Sequence, residues 1–157
     1  MKYFTYELWN KMNDIDSKTR EEAEQKWSQN AALYMEQFDK VKENLSRDFL
    51  KKYDKYKGFH DFDLKSILVG QDKNSLPKVS IIVTSNNETF ELAYKEVSKI
   101  DIQYADENNT LAFRKGFDTI GYDEFSKIND QILSHEILLS SGATILVHFK
   151  RITVSKI

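Results

Sequence analysis

The chain has 157 residues, of which 40% are hydrophobic and 31% charged, a composition that suits a folded domain with a sizeable core. Its formal net charge of −2 excludes the basic excess of a general nucleic-acid or membrane-surface binder. It has no cysteine, which excludes disulfides, thiolate nucleophiles and Cys-ligated metals and is typical of a reducing cytoplasm. The sequence shows neither a signal peptide nor a stretch of about 20 apolar residues, so we expect a cytoplasmic protein with no nucleic-acid and no membrane partner.

The N-terminal region, residues 1–58, predicts helices. Thr5 is a suitable cap for a short helix over Tyr6–Met12. Thr19 and Glu22 have the spacing of a capping box, which predicts the start of a longer amphipathic helix. The helical region therefore begins with two helices joined by a short turn.

The apolar residues of the longer helix recur every three or four positions and predict one buried face. They are Trp27, Ala31, Tyr34, Phe38, Val41, Leu45 and Phe49. An unbroken helix as far as Gly58 would be much longer than a compact body of this size, so we predict a break near Ser46, which caps the next helical segment. A coiled-coil dimer is the alternative role for this face, but its bulky aromatic residues favour packing within the chain.

After Gly58 the hydrophobic period changes to two, which predicts antiparallel strands. A two-residue loop at Asn86 and Asn87 forms the first predicted hairpin, because asparagine tolerates the positive φ of such a turn. In this register the opposed apolar pairs are Val83 with Phe90, Ile81 with Leu92, and Val79 with Tyr94. A second hairpin is predicted around a loop from Asp106 to Asn109.

A third predicted hairpin turns near Gly142, and its loop length decides whether two histidines meet. A two-residue loop would place His135 opposite His148, as a possible metal pair. A three-residue loop with Gly142 in the left-handed conformation places His135 opposite Val147 and gathers the apolar side chains on one face. We therefore predict the second register, with His135 as a hydrogen-bonded residue at the margin of the core.

Together these patterns predict an α+β fold in one domain spanning 1–157, with a helical part (1–58) and an antiparallel β part (59–157). The helices pack on a meander of about seven strands that is curled or barrel-like. A bulge or corner is expected at Lys150 and Arg151, where the alternation changes phase. The sequence leaves the oligomeric state open.

The junction between the two parts contains the strongest candidate site, in which His60 lies beside Asp61 and Asp63. An imidazole next to carboxylates can act as an acid–base pair. The alternative is structural, since polar side chains often satisfy backbone groups where a helix gives way to a strand. We favour the structural role, and we therefore predict no catalytic, cofactor-binding or metal site in this chain.

A second polar group follows at Tyr122, Asp123 and Glu124. Neighbouring residues of a strand point to opposite faces, so Asp123 and Glu124 do not form a carboxylate pair. If Tyr122 faces the core, Asp123 lies outside and Glu124 lies inside or at the rim. A buried Glu124 would be a further candidate for a site with His60, although solvation at a strand edge is the simpler expectation.

Three segments of the sequence form a recognisable pattern: the opening Met1-Lys2-Tyr3-Phe4-Thr5, the His60-Asp61 junction before the strands, and Tyr122-Asp123-Glu124 ahead of a closing hairpin. In these segments the chain resembles an uncharacterised bacterial domain-of-unknown-function family. Members of that family carry Leu-His-Asp at the junction, where this chain has Phe59 before His60. The resemblance implies a cytoplasmic bacterial protein; it implies no activity and no functional residues.

Two functions follow from these observations. The first is a non-enzymatic module that binds another protein, with an immunity protein that blocks a toxin as one form of it. The second is a metal-dependent or acid–base hydrolase centred on His60, Asp61 and Asp63, joined by Glu124. We favour the binding module, because the sequence predicts no convergent set of titratable residues.

Overall fold

The computed structural model describes residues 1–86, 88–105 and 116–157. Within these residues three α-helices precede eight β-strands, which confirms the predicted α+β fold. The helices are α1 (Tyr6–Met12), α2 (Ser17–Lys42) and α3 (Arg47–Lys55), followed by a 3₁₀ turn at Lys57–Phe59. The strands are β1 (Asp63–Gln71), β2 (Pro77–Ser85), β3 (Glu88–Lys95), β4 (Lys99–Gln103), β5 (Ile120–Lys127), β6 (Leu133–Leu139), β7 (Thr144–Phe149) and β8 (Arg151–Lys156).

The helix ends are set by side-chain caps. Thr5 caps α1 and Ser46 caps α3, each through an oxygen that accepts a backbone N–H of the first turn, and the predicted break before α3 is confirmed. The predicted start of α2 was wrong: the helix begins at Ser17, because the Asp16 carboxylate accepts the N–H of Thr19. Asp16 therefore caps the helix where a capping box from Thr19 was expected.

The strands form two four-stranded antiparallel sheets that do not close into a barrel. Their orders are β1-β2-β3-β8 and β4-β7-β6-β5. The chain leaves the second sheet at Lys150, between β7 and β8, and this is the predicted corner. The order departs from a simple meander at this point, since β8 returns to pair with β3.

Both predicted hairpin registers within the described residues are confirmed. In β2 and β3, Val83 pairs with Phe90 and the flanking apolar pairs follow in step. In β6 and β7, His135 pairs with Val147, and Gly142 has the left-handed φ of 82° that the three-residue loop requires. The two histidines are therefore not opposed. The hairpin predicted around Asp106–Asn109 lies outside the described residues.

The helices and the second sheet share one core along strand β5. The apolar face of α2 and α3 packs within the chain, where Phe38 and Phe49 lie 6.0 and 5.8 Å from the ring of Phe125. At the edge of β5, the Tyr34 hydroxyl accepts the N–H of Phe125 and the Gln37 side chain donates to its carbonyl. Helix α2 thereby covers an edge strand that would otherwise present unpaired backbone groups. None of the described helices combines the length and the apolar character needed to cross a membrane.

Candidate functional site

Strand β5 is covered on both faces, which determines where its polar residues lie. Asp123 and Phe125 face the core between the sheets, where the Phe125 ring stacks on the imidazole of His135 with centroids 3.9 Å apart. Tyr122 and Glu124 face the other side, beneath the N-terminal segment and the first two helices. The expectation that Asp123 lies outside was wrong, because this strand has no face open to solvent.

Four side chains form a continuous hydrogen-bonded chain through the core, which we call the buried polar chain: Tyr53, Asp123, His135 and Tyr94. The Tyr53 hydroxyl donates to both carboxylate oxygens of Asp123 at 2.8 Å. Asp123 Oδ2 lies 2.7 Å from His135 Nε2, and His135 Nδ1 lies 2.7 Å from the Tyr94 hydroxyl. The buried polar chain connects α3, β5, β6 and β3, and therefore links both sheets to a helix.

The protonation state of the buried polar chain follows from its hydrogen bonds. A neutral His135 with its proton on Nε2 gives every polar hydrogen an acceptor: the Tyr94 O–H donates to Nδ1, and Nε2–H and the Tyr53 O–H both donate to Asp123. A charged imidazolium would donate from Nδ1 to Tyr94 and compete with that hydroxyl proton. We therefore assign the neutral Nε2–H tautomer.

Burial fixes the charge of the two phenols. Desolvation raises the pKa of Tyr94 and of Tyr53 well above the ordinary value, and the negative charge of Asp123 raises both further. Both hydroxyls therefore stay protonated at neutral pH and act as donors. Neither phenol is positioned to act as a base or as a phenolate nucleophile.

The arrangement of carboxylate, imidazole and hydroxyl is the one that activates nucleophiles in hydrolases, but here its imidazole and hydroxyl are buried. Tyr94 is 0% exposed and His135 is 2% exposed. The 3₁₀ turn closes over its other end: a Cβ added at Gly58 would lie 3.3 Å from Asp123 Oδ1 and 3.2 Å from the Tyr53 hydroxyl. In this conformation a substrate cannot reach the imidazole of His135 or the hydroxyl of Tyr94, whereas 12% of the Asp123 side chain is exposed. The four side chains join a helix to strands of both sheets.

The turn above the buried polar chain has an unusual backbone. Lys57, Phe59 and Asp61 have φ values of 49°, 62° and 65°, and Gly58 has a φ of 68°. Left-handed conformations of non-glycine residues are costly and persist only where the surroundings hold them. Here the fully buried Phe59 anchors the turn, and the absence of a side chain at Gly58 permits the close approach to Asp123.

The residues predicted from the junction are only partly brought together. His60 Nδ1 lies 3.0 Å from Asp61 Oδ2, and 82% of the Asp61 side chain is exposed. Asp63 lies 3.4 Å from the ammonium of Lys65. Both oxygens of Glu124 are occupied by backbone N–H groups of the N-terminal segment. The described residues contain no group of three or more His, Asp or Glu side chains placed to hold a metal ion.

Glu124 has a structural role that the sequence did not indicate. Its Oε1 accepts the N–H groups of Tyr3 and Phe4 at 2.7 Å, and its Oε2 accepts that of Lys2 at 2.8 Å. Its cross-strand neighbour Glu136 pairs with the α-amino group of Met1. The expectation of edge-strand solvation was wrong, because the N-terminal segment covers this carboxylate and leaves it 5% exposed.

A surface groove between α2 and the end of β5 combines charged, polar and apolar residues; we call it the α2 groove. It has a volume of about 450 Å³ and its lining contains three lysines, Lys2, Lys40 and Lys127, against one acid, Glu36. Leu33 projects from the same wall and is 52% exposed. Lys127 also lies 3.3 Å from Asp130. The groove therefore offers an apolar contact bordered by excess positive charge.

The prediction that His135 is hydrogen-bonded is confirmed, although at 2% exposure it lies inside the core and not at its margin. The other members of the buried polar chain were not predicted from the sequence. The register set by Gly142 places His135 on the same face of β6 as the buried Leu133 and Ile137. A histidine in such a row needs partners for both ring nitrogens. The partners, Asp123 and Tyr94, come from strands of two different sheets, so the sequence could not identify them.

No protein-family model matches the chain, and no curated protein is significantly similar to it. The resemblance to an uncharacterised bacterial family therefore stays a prediction.

Proposed function

We propose that this chain is a protein-binding module of the bacterial cytoplasm that acts without catalysis. The observation that carries the proposal is the burial of His135 and Tyr94, catalytic residue types that the buried polar chain holds away from solvent, with only 12% of the Asp123 side chain exposed. Groups that no substrate can reach contribute to stability, and function is then left to the surface. The net charge of −2 further supports a protein partner over nucleic acid or membrane.

The α2 groove is the surface that supports this function best. Its three lysines favour an acidic partner segment, and Leu33 supplies the exposed apolar contact that a binding site requires. We propose that the partner inserts an apolar side chain beside Leu33 and places carboxylates near Lys40. An immunity protein that blocks a toxin is one form of such a module, and that form is supported by analogy alone.

The test compares two substitutions on the same helix. Leu33 and Met35 are 52% and 53% exposed, but only Leu33 lines the groove. We expect affinity capture from the native cell with wild type and with Met35→Glu to recover the same partner, and Leu33→Glu to lose it. The proposal fails if no specific partner is recovered, or if Leu33→Glu retains the partner as well as the control does.

A hydrolase centred on His60 is the competing function, and the 3.0 Å contact of its imidazole with Asp61 favours it. The pair borders an open cavity of about 610 Å³ that Lys57 also lines. Titration calorimetry with zinc and manganese on wild type, His60→Ala and the control His148→Ala separates the two functions. Metal uptake lost only in His60→Ala would support the hydrolase and count against the binding module. Uptake that is absent, or unchanged by the substitution, removes the metal-dependent form of the hydrolase.

A further inference from the structure

Strand β1 is the outer strand of the first sheet, and among the described residues most of its outer side has no pairing strand. Its first residues are covered, since Asp63 bridges Thr119 and the Leu64 N–H bonds to the Asp118 carbonyl. Beyond them, no strand in 1–86, 88–105 or 116–157 pairs with this side. Leu68 and Val69 are 58% and 63% exposed.

This open edge lacks the devices that normally keep sheet edges apart. From residue 66 to residue 71 the strand has no charge and no proline, and its bulge lies earlier, between Leu64 and Ser66. Exposed, apolar and unprotected edges are templates for pairing with another strand. An edge of this kind in a native protein therefore points to a partner strand.

The backbone groups available at this edge can be identified from the sheet. The Pro77 carbonyl accepts the N–H of Val97, so Pro77 and every second residue after it on β2 point away from β1. The intervening residue Ser80 therefore bonds to Leu68, its partner on β1. By the same alternation, Ile67 and Val69 direct their N–H and C=O groups outward.

The sequence of this edge is complementary to itself. In an antiparallel pair with a two-fold axis at Leu68, Ile67 lies opposite Val69 of the second copy, and Leu68 lies opposite its own copy. The opposed Ile67 and Val69 exchange the backbone hydrogen bonds that both residues direct outward. The flanking pairs are Ser66 with Gly70 and Lys65 with Gln71, so no like charges meet. An axis at Val69 would instead place Leu68 opposite Gly70 and leave an apolar side chain without a partner.

We propose that the chain forms a symmetric dimer through antiparallel pairing of β1 with β1 of a second copy, centred on Leu68. The pairing joins the first sheet of each copy into one continuous eight-stranded sheet. In that sheet Ile67 and Val69 extend the face that bears the buried Ile81 and Val79. The interface is narrow, so the dimer is of the weak, concentration-dependent class. This inference does not rest on the proposed function, since β1 contributes nothing to the α2 groove.

Single-cysteine crosslinking tests the register, because the chain has no cysteine of its own. A non-hydrogen-bonded antiparallel pair has Cα atoms about 4.5 Å apart, within the range of a disulfide. We expect Leu68→Cys to form a disulfide dimer rapidly under mild oxidation, and the exposed control Ile128→Cys to remain largely monomeric. Faster crosslinking of Val69→Cys than of Leu68→Cys would overturn the Leu68 axis.

Sedimentation equilibrium tests the dimer without crosslinking. We expect the dimer fraction of wild type to rise with concentration from the micromolar to the millimolar range. Leu68→Lys places two like charges opposite each other at the axis and should abolish the dimer, whereas Ile128→Lys should leave it unchanged. Circular dichroism of both variants monitors folding. A wild type that stays monomeric at all concentrations, or a dimer unaffected by Leu68→Lys, would overturn the proposal. If this edge pairs with a different protein instead, the wild type alone would stay monomeric.

Discussion

At the scale of single residues, the neutral tautomer of His135 is the feature on which the buried polar chain depends. Its Nδ1 accepts a hydrogen bond from the Tyr94 hydroxyl, and its Nε2–H donates a hydrogen bond to Asp123. We expect long-range ¹H–¹⁵N NMR correlation spectra to show a protonated Nε2 and an unprotonated Nδ1 at neutral pH. Burial and the positive charge of Lys99 lower the pKa of the half-exposed His148, which should exchange between its two neutral tautomers at this pH. Signals from two protonated nitrogens on His135 would contradict the assignment.

Asp123 is the acceptor at the centre of the buried polar chain, and removing its charge should lower the free energy of unfolding. In Asp123→Asn, one carboxylate oxygen becomes an NH₂ group that faces a donor from Tyr53 or from His135. Leaving a buried donor unsatisfied costs about 1–3 kcal/mol. We expect urea unfolding to show a loss of this size. The control Asp54→Asn lies on the exposed face of α3 and should change stability by less than about 0.5 kcal/mol. Equal stability of the two variants would mean that the charge of Asp123 contributes nothing.

Gly121 on β5 permits the close packing of Trp9 from α1. A Cβ at Gly121 would overlap two atoms of the Trp9 ring, whereas nothing lies within 4 Å of a Cβ at Gly70. Gly121→Ala must displace the indole and should cost about 1–3 kcal/mol. Gly70→Ala is the matched strand control and should be neutral or slightly stabilising. Chemical denaturation measures both, and a neutral Gly121→Ala would show that Trp9 can move without loss.

At the scale of elements, the N-terminal segment is held by one carboxylate that accepts three backbone N–H groups. In Glu124→Gln the new NH₂ group faces one of these donors, and the remaining oxygen no longer carries the full charge. Hydrogen bonds to charged groups contribute about 1.5–3 kcal/mol, and we expect the free energy of unfolding to fall by this amount. The control is Glu24→Gln on the exposed face of α2.

Tryptophan fluorescence gives a second, local measurement of the same change. Trp9 and Trp27 pack against Tyr122 on the face of β5 that the segment covers, with ring centroids 5.1 and 4.3 Å from it. A loosened segment should therefore shift the emission of Glu124→Gln to longer wavelength before global unfolding. Emission identical to wild type, together with unchanged stability, would show that Glu124 does not hold the segment.

The elements that the sequence predicts well are those specified locally. Ser46 and Thr5 sit next to the helices that they cap, and the β2–β3 and β6–β7 registers follow from the alternation of apolar residues beside a short turn. The start of α2 was mispredicted because Asp16 and Thr19 are both capable caps only three positions apart. Local signals of similar strength cannot distinguish such neighbours.

The candidate site depends on docking between distant elements, which explains why it was not predicted. Glu124 is buried only because residues 1–4 cross its face of β5. Asp123 is mostly covered only because α3 and the first sheet lie over the opposite face of that strand. The period-two pattern assigns these two side chains to opposite faces correctly. It contains no information on whether a second layer covers each face.

At the scale of the whole molecule, the phenols of the core make stability depend on high pH. Burial raises the pKa of Tyr34, Tyr53 and Tyr94 above the ordinary value, with the charge of Asp123 adding to each. In the unfolded chain these tyrosines ionise near pH 10 (about the value of the free side chain), while the folded chain keeps their protons. Their contribution is therefore complete below about pH 9 and is lost as the pH rises further.

We therefore expect the contribution of these phenols to the free energy of unfolding in urea to be constant from pH 8 to about pH 9. Above about pH 10 the free energy of unfolding should fall steeply. Each buried phenol adds a slope of up to about 1.4 kcal/mol per pH unit. Absorbance of tyrosinate should show that the buried group ionises only with unfolding. Tyr94→Phe should reduce the slope, whatever it does to stability at neutral pH, whereas Tyr104→Phe, whose side chain is 43% exposed, should leave the slope unchanged. Equal slopes in wild type and Tyr94→Phe would mean that this phenol, despite its complete burial, does not couple folding to its own ionisation.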